Sequence, residues 1–210
     1  MSVASIILAS MPLSLPKRQV LSRLGHDART KLAPKQERFL QEQMHRAFAL
    51  VKAQGVYRCL SITSNDGEKV MLADRSCIYS RDLAKMLSEA QQVWLAAVSI
   101  GAALEERCAQ LFEDGQAAAA AVYDAVGSES ADAAMDFLQE YVGTQLIRSA
   151  RNLSKFRFSP GYGDWSLEAQ KDFFFWLNPE RIGLQLNEKL LLIPEKSVTA
   201  LAGIKILKDE

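Results

Sequence analysis

The chain has 210 residues, of which 49% are apolar and 24% charged, a composition that is ordinary for a globular protein with a sizeable core. Its 25 basic side chains balance its 25 acidic ones, so the charge favours neither a nucleic-acid ligand nor an acidic surface as partner. The three cysteines, Cys59, Cys77 and Cys108, are scattered and form no Cys-x-x-Cys pair. With only two histidines besides, we expect a reducing, cytoplasmic setting and neither a disulfide frame nor a metal site.

The N-terminal residues are apolar without having the features of a membrane span. No basic residue precedes the stretch from Val3 to Leu15, and Pro12 and Pro16 interrupt it. It is also too short to cross a bilayer and lacks the charged start of a signal peptide. We therefore expect residues 1–15 to form an extended arm packed on the domain, and no membrane partner.

Helix signals dominate the next part of the chain. Pro16 to Leu24 predicts a short helix that Gly25 ends. Pro34 opens a longer helix with one apolar face, which is expected to run to about Lys52 and to end at Gly55.

Strand signals follow. The stretches Val56 to Thr63 and Lys69 to Ala73, joined by the turn sequence Ser64-Asn65-Asp66-Gly67, predict a β-hairpin. Ser80 is expected to cap a helix that carries apolar residues as far as Ala90. Val93 to Ile100 is a continuous apolar run, which favours a central strand buried on both faces.

Two long helices are predicted in the middle of the chain. Gln116 to Val126 is alanine-rich, Gly127-Ser128 is expected to break the helix, and a second helix is expected from about Glu129 to Leu153. Acidic residues recur along this second helix, where they favour a solvated face: Glu129, Asp132, Asp136 and Glu140.

The C-terminal part predicts one more helix and two strands. Ser166 has the character of an N-cap for a helix over Leu167 to Leu177, which Asn178-Pro179 would stop. Leu190 to Ile193 and Val198 to Ile206 are expected to be two strands joined around a proline. The mixture of helices and hairpins predicts a single α+β domain over residues 1–210.

The most unusual stretch lies just before that last helix. Pro160 fixes φ, while Gly161 and Gly163 permit backbone angles that other residues avoid, so a sharp turn is predicted there. Arg157 brings a planar charge with five donors to this turn, and Tyr162 brings a ring and a hydroxyl. An arginine, exposed amides and a ring beside a helix start suit a ligand with a carboxylate and a ring.

The residues themselves indicate nothing further about chemistry. They offer no nucleophile with a recognisable base, no metal-ligand set and no glycine-rich cofactor loop. Residue by residue, the inference ends at an α+β domain with a polar, aromatic turn.

The turn sequence Arg-x-Ser-Pro-Gly-Tyr-Gly-Asp-Trp resembles the signature of the activation domain of cobalamin-dependent methionine synthase, and it is most similar to the stand-alone form of that domain. The resemblance implies a crescent-shaped α+β domain with a mostly antiparallel sheet and flanking helices. It also implies that Arg157 and Tyr162 contact S-adenosylmethionine, with main-chain groups around Ser159 to Gly161 taking its other polar atoms.

The resemblance implies further site residues. An acidic residue on the long helix would also hold S-adenosylmethionine, and Asp132 and Asp136 are the two candidates. The surface around Tyr162 and Trp165 would contact a partner protein. The sequence departs from the full-length enzymes after Tyr162, where Gly163-Asp164-Trp165 replaces a segment that begins with proline.

The implied function is reactivation. Cobalamin that has become cob(II)alamin is reduced and remethylated, with S-adenosylmethionine as methyl donor and a flavodoxin-like or other one-electron donor. The chain contains no corrin-binding domain, so the cobalamin would be carried by a methionine synthase that lacks its own activation domain. Two alternatives stay open: a free-standing S-adenosylmethionine-dependent methyltransferase, and a non-catalytic module that binds another corrinoid protein.

Overall fold

The structure, a computed structural model, describes residues 4–26 and 31–207. The first three residues of the predicted arm, and residues 27–30 and 208–210 of the predicted domain, lie outside these ranges. Within them the strands are β1 (Ile6–Leu8), β2 (Gln54–Asn65), β3 (Lys69–Leu72), β4 (Cys77–Tyr79), β5 (Gln92–Ser99), β6 (Arg151–Leu153), β7 (Gln185–Leu186), β8 (Leu192–Ile193) and β9 (Ser197–Ile206).

The α-helices of the described ranges vary from one turn and a half to more than eight turns. They are α1 (Lys17–Arg23), α2 (Pro34–Phe48), α3 (Arg81–Met86), α4 (Ala103–Glu113), α5 (Ala117–Ile147) and α6 (Gln170–Leu177). Short 3₁₀ turns at Leu167–Ala169 and Pro179–Ile182 flank α6 on either side.

The main sheet is antiparallel throughout. Its strands follow the order β4-β3-β2-β5-β9-β6, and β1 pairs with the first part of β2. It curls into a half-barrel with helices on its faces, so the predicted α+β crescent is confirmed. A separate ribbon is formed by β7 and β8.

The central strand β5 divides the core between the two faces of the sheet. Because side chains alternate along a strand, Leu95 lies in one apolar cluster with Phe173 of α6, and Trp94 lies in another with Leu138 of α5. Every residue of β5 after Gln92 is buried, as predicted for a central strand. A third cluster joins α1, α2 and α4 to the N-terminal half of α5.

Several local predictions are confirmed. The hairpin of β2 and β3 forms around Asp66, whose carboxylate accepts from two backbone amides of the turn. Ser80 caps α3, since its hydroxyl accepts from the Leu83 amide at 3.0 Å. Ser166 caps the 3₁₀ turn that leads into α6, and Asn178 ends α6 in the left-handed conformation.

The predicted break at Gly127-Ser128 is wrong, because α5 runs through it without interruption. Gly127 is buried in the helix, and a Cβ there would lie 2.9 Å from Leu104 Cδ2. The glycine therefore permits the close approach of α4 instead of ending a helix. The helix also ends at Ile147 and not near Leu153, which belongs to β6.

Two helix boundaries also differ from the predictions, and the last two strands pair with other strands. Helix α2 ends at Phe48, and Gly55 lies in β2 beside Leu138, where it admits a neighbouring side chain. Helix α3 ends at Met86. Strand β8 pairs with β7, whereas β9 pairs with β5 and β6, so the last two predicted strands are not partners of each other.

The described part of the N-terminal arm lies against the sheet. Ile6–Leu8 pairs antiparallel with β2, and Met11 is 4% exposed in the cluster on the α5 face. In the described ranges, no helix combines the length and the apolar character that crossing a bilayer requires.

Candidate functional site

The predicted sharp turn, residues 157–166, is present and depends on its glycines. Gly161 has φ +91° and Gly163 has φ +53°, both in the region that favours glycine. Within the turn, the Gly161 amide donates to the Trp165 carbonyl at 2.8 Å, and the Tyr162 amide donates to the Ser159 carbonyl at 3.2 Å. These bonds close the turn on itself and leave the Tyr162 ring 69% exposed at its tip.

The start of the turn is attached to the sheet. Phe158 and Leu201 of β9 exchange backbone hydrogen bonds at 2.9 Å and 2.8 Å. The Ser159 hydroxyl donates to the Thr199 carbonyl at 2.7 Å. Arg157 and Ser159 are therefore placed by the central region of the sheet.

The end of the turn is attached to α3 by Asp164. Its carboxylate accepts from the Ser80 hydroxyl and, at 2.7 Å, from the Arg81 amide at the start of that helix. The hydrogen bond from Ser80, followed by the backbone amides of Arg81 and Asp82, lowers the pKa of Asp164. Asp164 thus holds the end of the turn to the start of α3.

Arg157 reaches across to α5. Its Nη1 donates to Asp136 Oδ1 at 2.7 Å and to Gln139 Oε1 at 2.6 Å. The Arg157 side chain is 26% exposed, while that of Asp136 is 70% exposed. Neither Nε nor Nη2 of Arg157 donates a hydrogen bond to another described residue, so one edge of the guanidinium is available.

A groove of about 510 Å³ lies between this turn, α5 and the start of β9, and we call it the turn groove. It brings together four of the predicted site residues, Asp132, Arg157, Ser159 and Tyr162. The rest of its wall is formed by Phe158, Pro160, Gln170, Leu192, Ser197, Val198 and Thr199.

Two polar residues of β9, Ser197 and Thr199, form part of the groove wall. Thr199 is 2% exposed, and its hydroxyl donates to Gln170 Oε1 at 2.9 Å. The Ser197 hydroxyl is buried and has no hydrogen-bond partner among the described residues. Ser197 lines the groove as a residue, but its hydroxyl oxygen is not exposed there.

Asp132 is the carboxylate of the turn groove. Two neighbouring carboxylates on α5 are already paired, Glu129 with Arg23 and Asp136 with Arg157, but Asp132 makes no ion pair or hydrogen bond with a described residue. Asp132 is exposed as a residue, although its carboxylate is partly desolvated by burial. That desolvation, and next the charge of Glu129, raises the pKa of Asp132.

A second groove, of about 680 Å³, lies on the other side of Arg157, and we call it the Phe156 groove. Asp136 lines this groove and not the turn groove, so the structure separates the two acidic candidates. Its other walls come from the C-terminal half of α5 and from residues 152–157.

Two of the predicted site features need correction. Trp165 is 3% exposed and packs against Phe158 and Phe173, so it belongs to the core and cannot contact a partner. The amides of Gly161 and Tyr162 are not exposed donors, because the turn itself uses them. Gly161 shapes the turn and does not line the groove.

Sequence reasoning missed Gln139, Ser197 and Thr199. Ser197 and Thr199 lie in a strand that the sequence did predict, but no pattern shows which turn that strand will lie beside. Gln139 is seven residues, or two helical turns, after Asp132, which puts both on one side of α5. Only this spacing could have indicated it.

The arrangement has the polarity of a zwitterion site. A guanidinium with one edge that no described residue uses can bind a carboxylate. A carboxylate in the same groove that is unpaired within the described ranges can bind a cation. The exposed Tyr162 ring can stack on a flat group or lie against a positive one. Among the described residues, no group of three or more histidine, cysteine or acidic side chains could hold a metal ion.

No protein-family model and no curated protein matches the sequence. Among solved structures, the chain is similar to the crystal structure of the MetH reactivation domain bound to AdoHcy, with a TM-score of 0.69 and 12% sequence identity. The similarity covers 100% of this chain and 80% of that chain. At this identity the likeness shows a shared fold, and the roles of individual residues remain predictions.

Proposed function

We propose that the turn groove binds S-adenosylmethionine (AdoMet) or its demethylated product AdoHcy. The observation that carries the proposal is the meeting of Arg157, Asp132, Ser159 and Tyr162 in one groove. It is supported by the fold, since the similar solved structure is a domain bound to AdoHcy.

The amino-acid end of the ligand would lie between the two charged walls. Its carboxylate pairs with the free edge of Arg157. Its ammonium, or the sulfonium of AdoMet, pairs with Asp132, whose charge is not used within the described structure.

Tyr162 would cover the ligand at the mouth of the groove. The residue is 69% exposed and lines the turn groove, so its ring is accessible to a bound ligand. It can stack on the adenine or lie near the sulfonium.

We propose further that the chain acts as the reactivation subunit of a cobalamin-dependent methionine synthase. Cobalamin carried by a partner that lacks its own activation domain would receive the methyl group of AdoMet, with an electron from a flavodoxin-like or other one-electron donor. This chain would bind and orient the methyl donor, and its exposed Tyr162 would face the partner. Such partners imply a cytoplasmic setting.

Calorimetric titration tests the binding proposal. We expect the protein to bind both AdoMet and AdoHcy, and adenosine, which lacks the amino-acid end, to bind more weakly. The circular dichroism spectrum of the same sample verifies that the protein is folded. Absence of binding at millimolar AdoMet and AdoHcy would contradict the proposal.

Reconstitution tests the reactivation role separately. Remethylation of cob(II)alamin is expected only when AdoMet, a cobalamin-carrying methionine synthase, a one-electron donor and this protein are all present. Methyl transfer to a small molecule by the protein alone would favour the free-standing methyltransferase instead. Binding of AdoMet without any effect on reactivation would favour the non-catalytic module.

A further inference from the structure

Gln139 makes two hydrogen bonds that hold Arg157 in place. Its Oε1 accepts from Arg157 Nη1 at 2.6 Å, and its Nε2 donates to the Ser154 carbonyl at 2.5 Å. The Ser154 amide in turn donates to the Gly203 carbonyl of β9 at 2.8 Å. The guanidinium is thereby connected through one side chain to the backbone of the sheet.

Only one orientation of the Gln139 amide satisfies both partners. The Ser154 carbonyl can only accept and the guanidinium can only donate, so the NH₂ group must face the former and the oxygen the latter. Because both ends of the Gln139 amide already have partners, Gln139 loses little further freedom when a ligand binds.

Asp136 is a weaker support for the same guanidinium. Its side chain is 70% exposed, and an exposed ion pair contributes little to the position of its members. Gln139 is more enclosed and is neutral, so it fixes the guanidinium without cancelling its charge.

We propose that Gln139 is a positioning residue for ligand carboxylate recognition. It holds Nη1 of Arg157 so that the Nε and Nη2 edge is ordered before the carboxylate binds. This inference rests on the proposed AdoMet or AdoHcy site, and it adds that the site selects its ligand by a pre-positioned arginine.

The first test needs no ligand. The ¹⁵N heteronuclear NOE of Arg157 Nε reports the mobility of the guanidinium on a fast timescale. We expect a rigid value in the wild-type protein, a mobile value in Gln139→Leu, and a rigid value in the control Gln145→Leu. Gln145 is an exposed residue of the same helix with no hydrogen bond to a described residue. A rigid Arg157 in Gln139→Leu would overturn the proposal.

The second test separates positioning from a general structural role. AdoHcy and its carboxyl methyl ester differ in the charge that Arg157 would bind. Gln139→Leu should weaken AdoHcy binding about tenfold and leave ester binding nearly unchanged, since it removes a hydrogen bond that acts on a charged group. Equal losses for the two ligands would mean that Gln139 only supports the fold, and would overturn the proposal.

A second variant and a double mutant complete the experiment. Gln139→Glu keeps an acceptor for Nη1 but opposes the Ser154 carbonyl and neutralises the arginine, so it should lose at least as much AdoHcy affinity. In an Arg157→Ala background, Gln139→Leu should cause no further loss, because the two residues act as one unit. Additive losses would overturn the proposal, whereas a wild-type protein that binds neither ligand would overturn the proposed function itself.

Discussion

Arg157 keeps most of its charge available although it already has an ion pair. Its partner Asp136 is exposed, where water screens the interaction, and both of its bonds to α5 use a single nitrogen. A ligand carboxylate can therefore add to this arrangement without first displacing Asp136.

Arg157→Ala should weaken AdoHcy binding by about 1.5 to 3 kcal/mol, roughly 10- to 150-fold, because a charge-assisted hydrogen bond is lost. Calorimetry measures the change. Arg148→Ala is the matched control, since Arg148 is an exposed arginine at the end of α5 that lines neither groove beside Arg157. Equal affinities of wild type and Arg157→Ala would mean that the arginine has only a structural role.

The protonation of Asp132 should give AdoHcy binding a characteristic pH dependence. Desolvation raises the pKa of Asp132 above its ordinary value, so the ligand-free protein holds the proton to a higher pH than an isolated aspartate does. A cationic ligand group binds only the ionised form. Affinity should therefore rise with pH from the ordinary aspartate range through the raised pKa and then level off.

Titrations of AdoHcy at a series of pH values would measure this rise. The series would run from about 4, close to the ordinary aspartate pKa of about 3.9, to about 7. Asp132→Asn should bind more weakly at neutral pH and lose most of the pH dependence. Because the raised pKa also means that ionisation of Asp132 opposes folding at neutral pH, the same variant should unfold at an equal or higher temperature. A variant with the wild-type pH profile would exclude Asp132 as the cation partner.

At the scale of elements, Asp164 joins the turn to α3. Asp164→Ala should lower the melting temperature at neutral pH, since the Arg81 amide and the Ser80 hydroxyl lose their acceptor. The pKa of Asp164 is lowered, so its contribution is present above the unfolded-state pKa and is lost as the pH falls through the lower folded-state value. The difference between wild type and variant should accordingly shrink in acid.

Asp172 on α6 is a control, because the effect of its ionisation on stability is opposite to that of Asp164. Desolvation raises its pKa, so its ionisation opposes folding and Asp172→Ala should not lower the melting temperature at neutral pH. If both variants lowered it equally, the assignment of Asp164 as the link between turn and helix would be wrong.

The two glycines inside α5 should respond differently to alanine. At Gly143 a Cβ would meet only Leu153 Cβ at 3.9 Å, so the gain in helix propensity should stabilise the protein by about 0.5 to 1 kcal/mol. At Gly127 the Cβ would lie 2.9 Å from Leu104 Cδ2, and the clash should offset that gain. Denaturant unfolding of both variants measures the difference, and equal stabilisation would contradict the tight packing at Gly127.

Gly127 and Gly161 differ in whether the local sequence predicts their structural role. A glycine at a sharp turn has a local signature in the prolines and glycines around it. The sharp turn expected at Gly161 is present, and Gly161 has φ +91° there. The reason for Gly127 lies in α4, which packs against it from elsewhere in the chain. Local pattern alone therefore predicted a helix break that tertiary packing removes.

At the scale of the whole molecule, the site depends on how the sheet brings distant segments together. The sequence predicts that Arg157, Ser159 and Tyr162 lie close together, because they are neighbours in one turn. Asp132 was only one of two candidates, since the packing of α5 against the turn decides which acidic residue lines the turn groove and which pairs with Arg157. Trp165 was misplaced on the surface because its burial depends on Phe173 of α6, which the sequence did not locate relative to the turn.

The most direct test of the proposed binding site is a crystal structure of the protein with AdoHcy. We expect electron density for the ligand in the turn groove, with its carboxylate at the Nε and Nη2 edge of Arg157 and its amino group beside Asp132. Ordered AdoHcy elsewhere on the protein, with the turn groove empty, would contradict it.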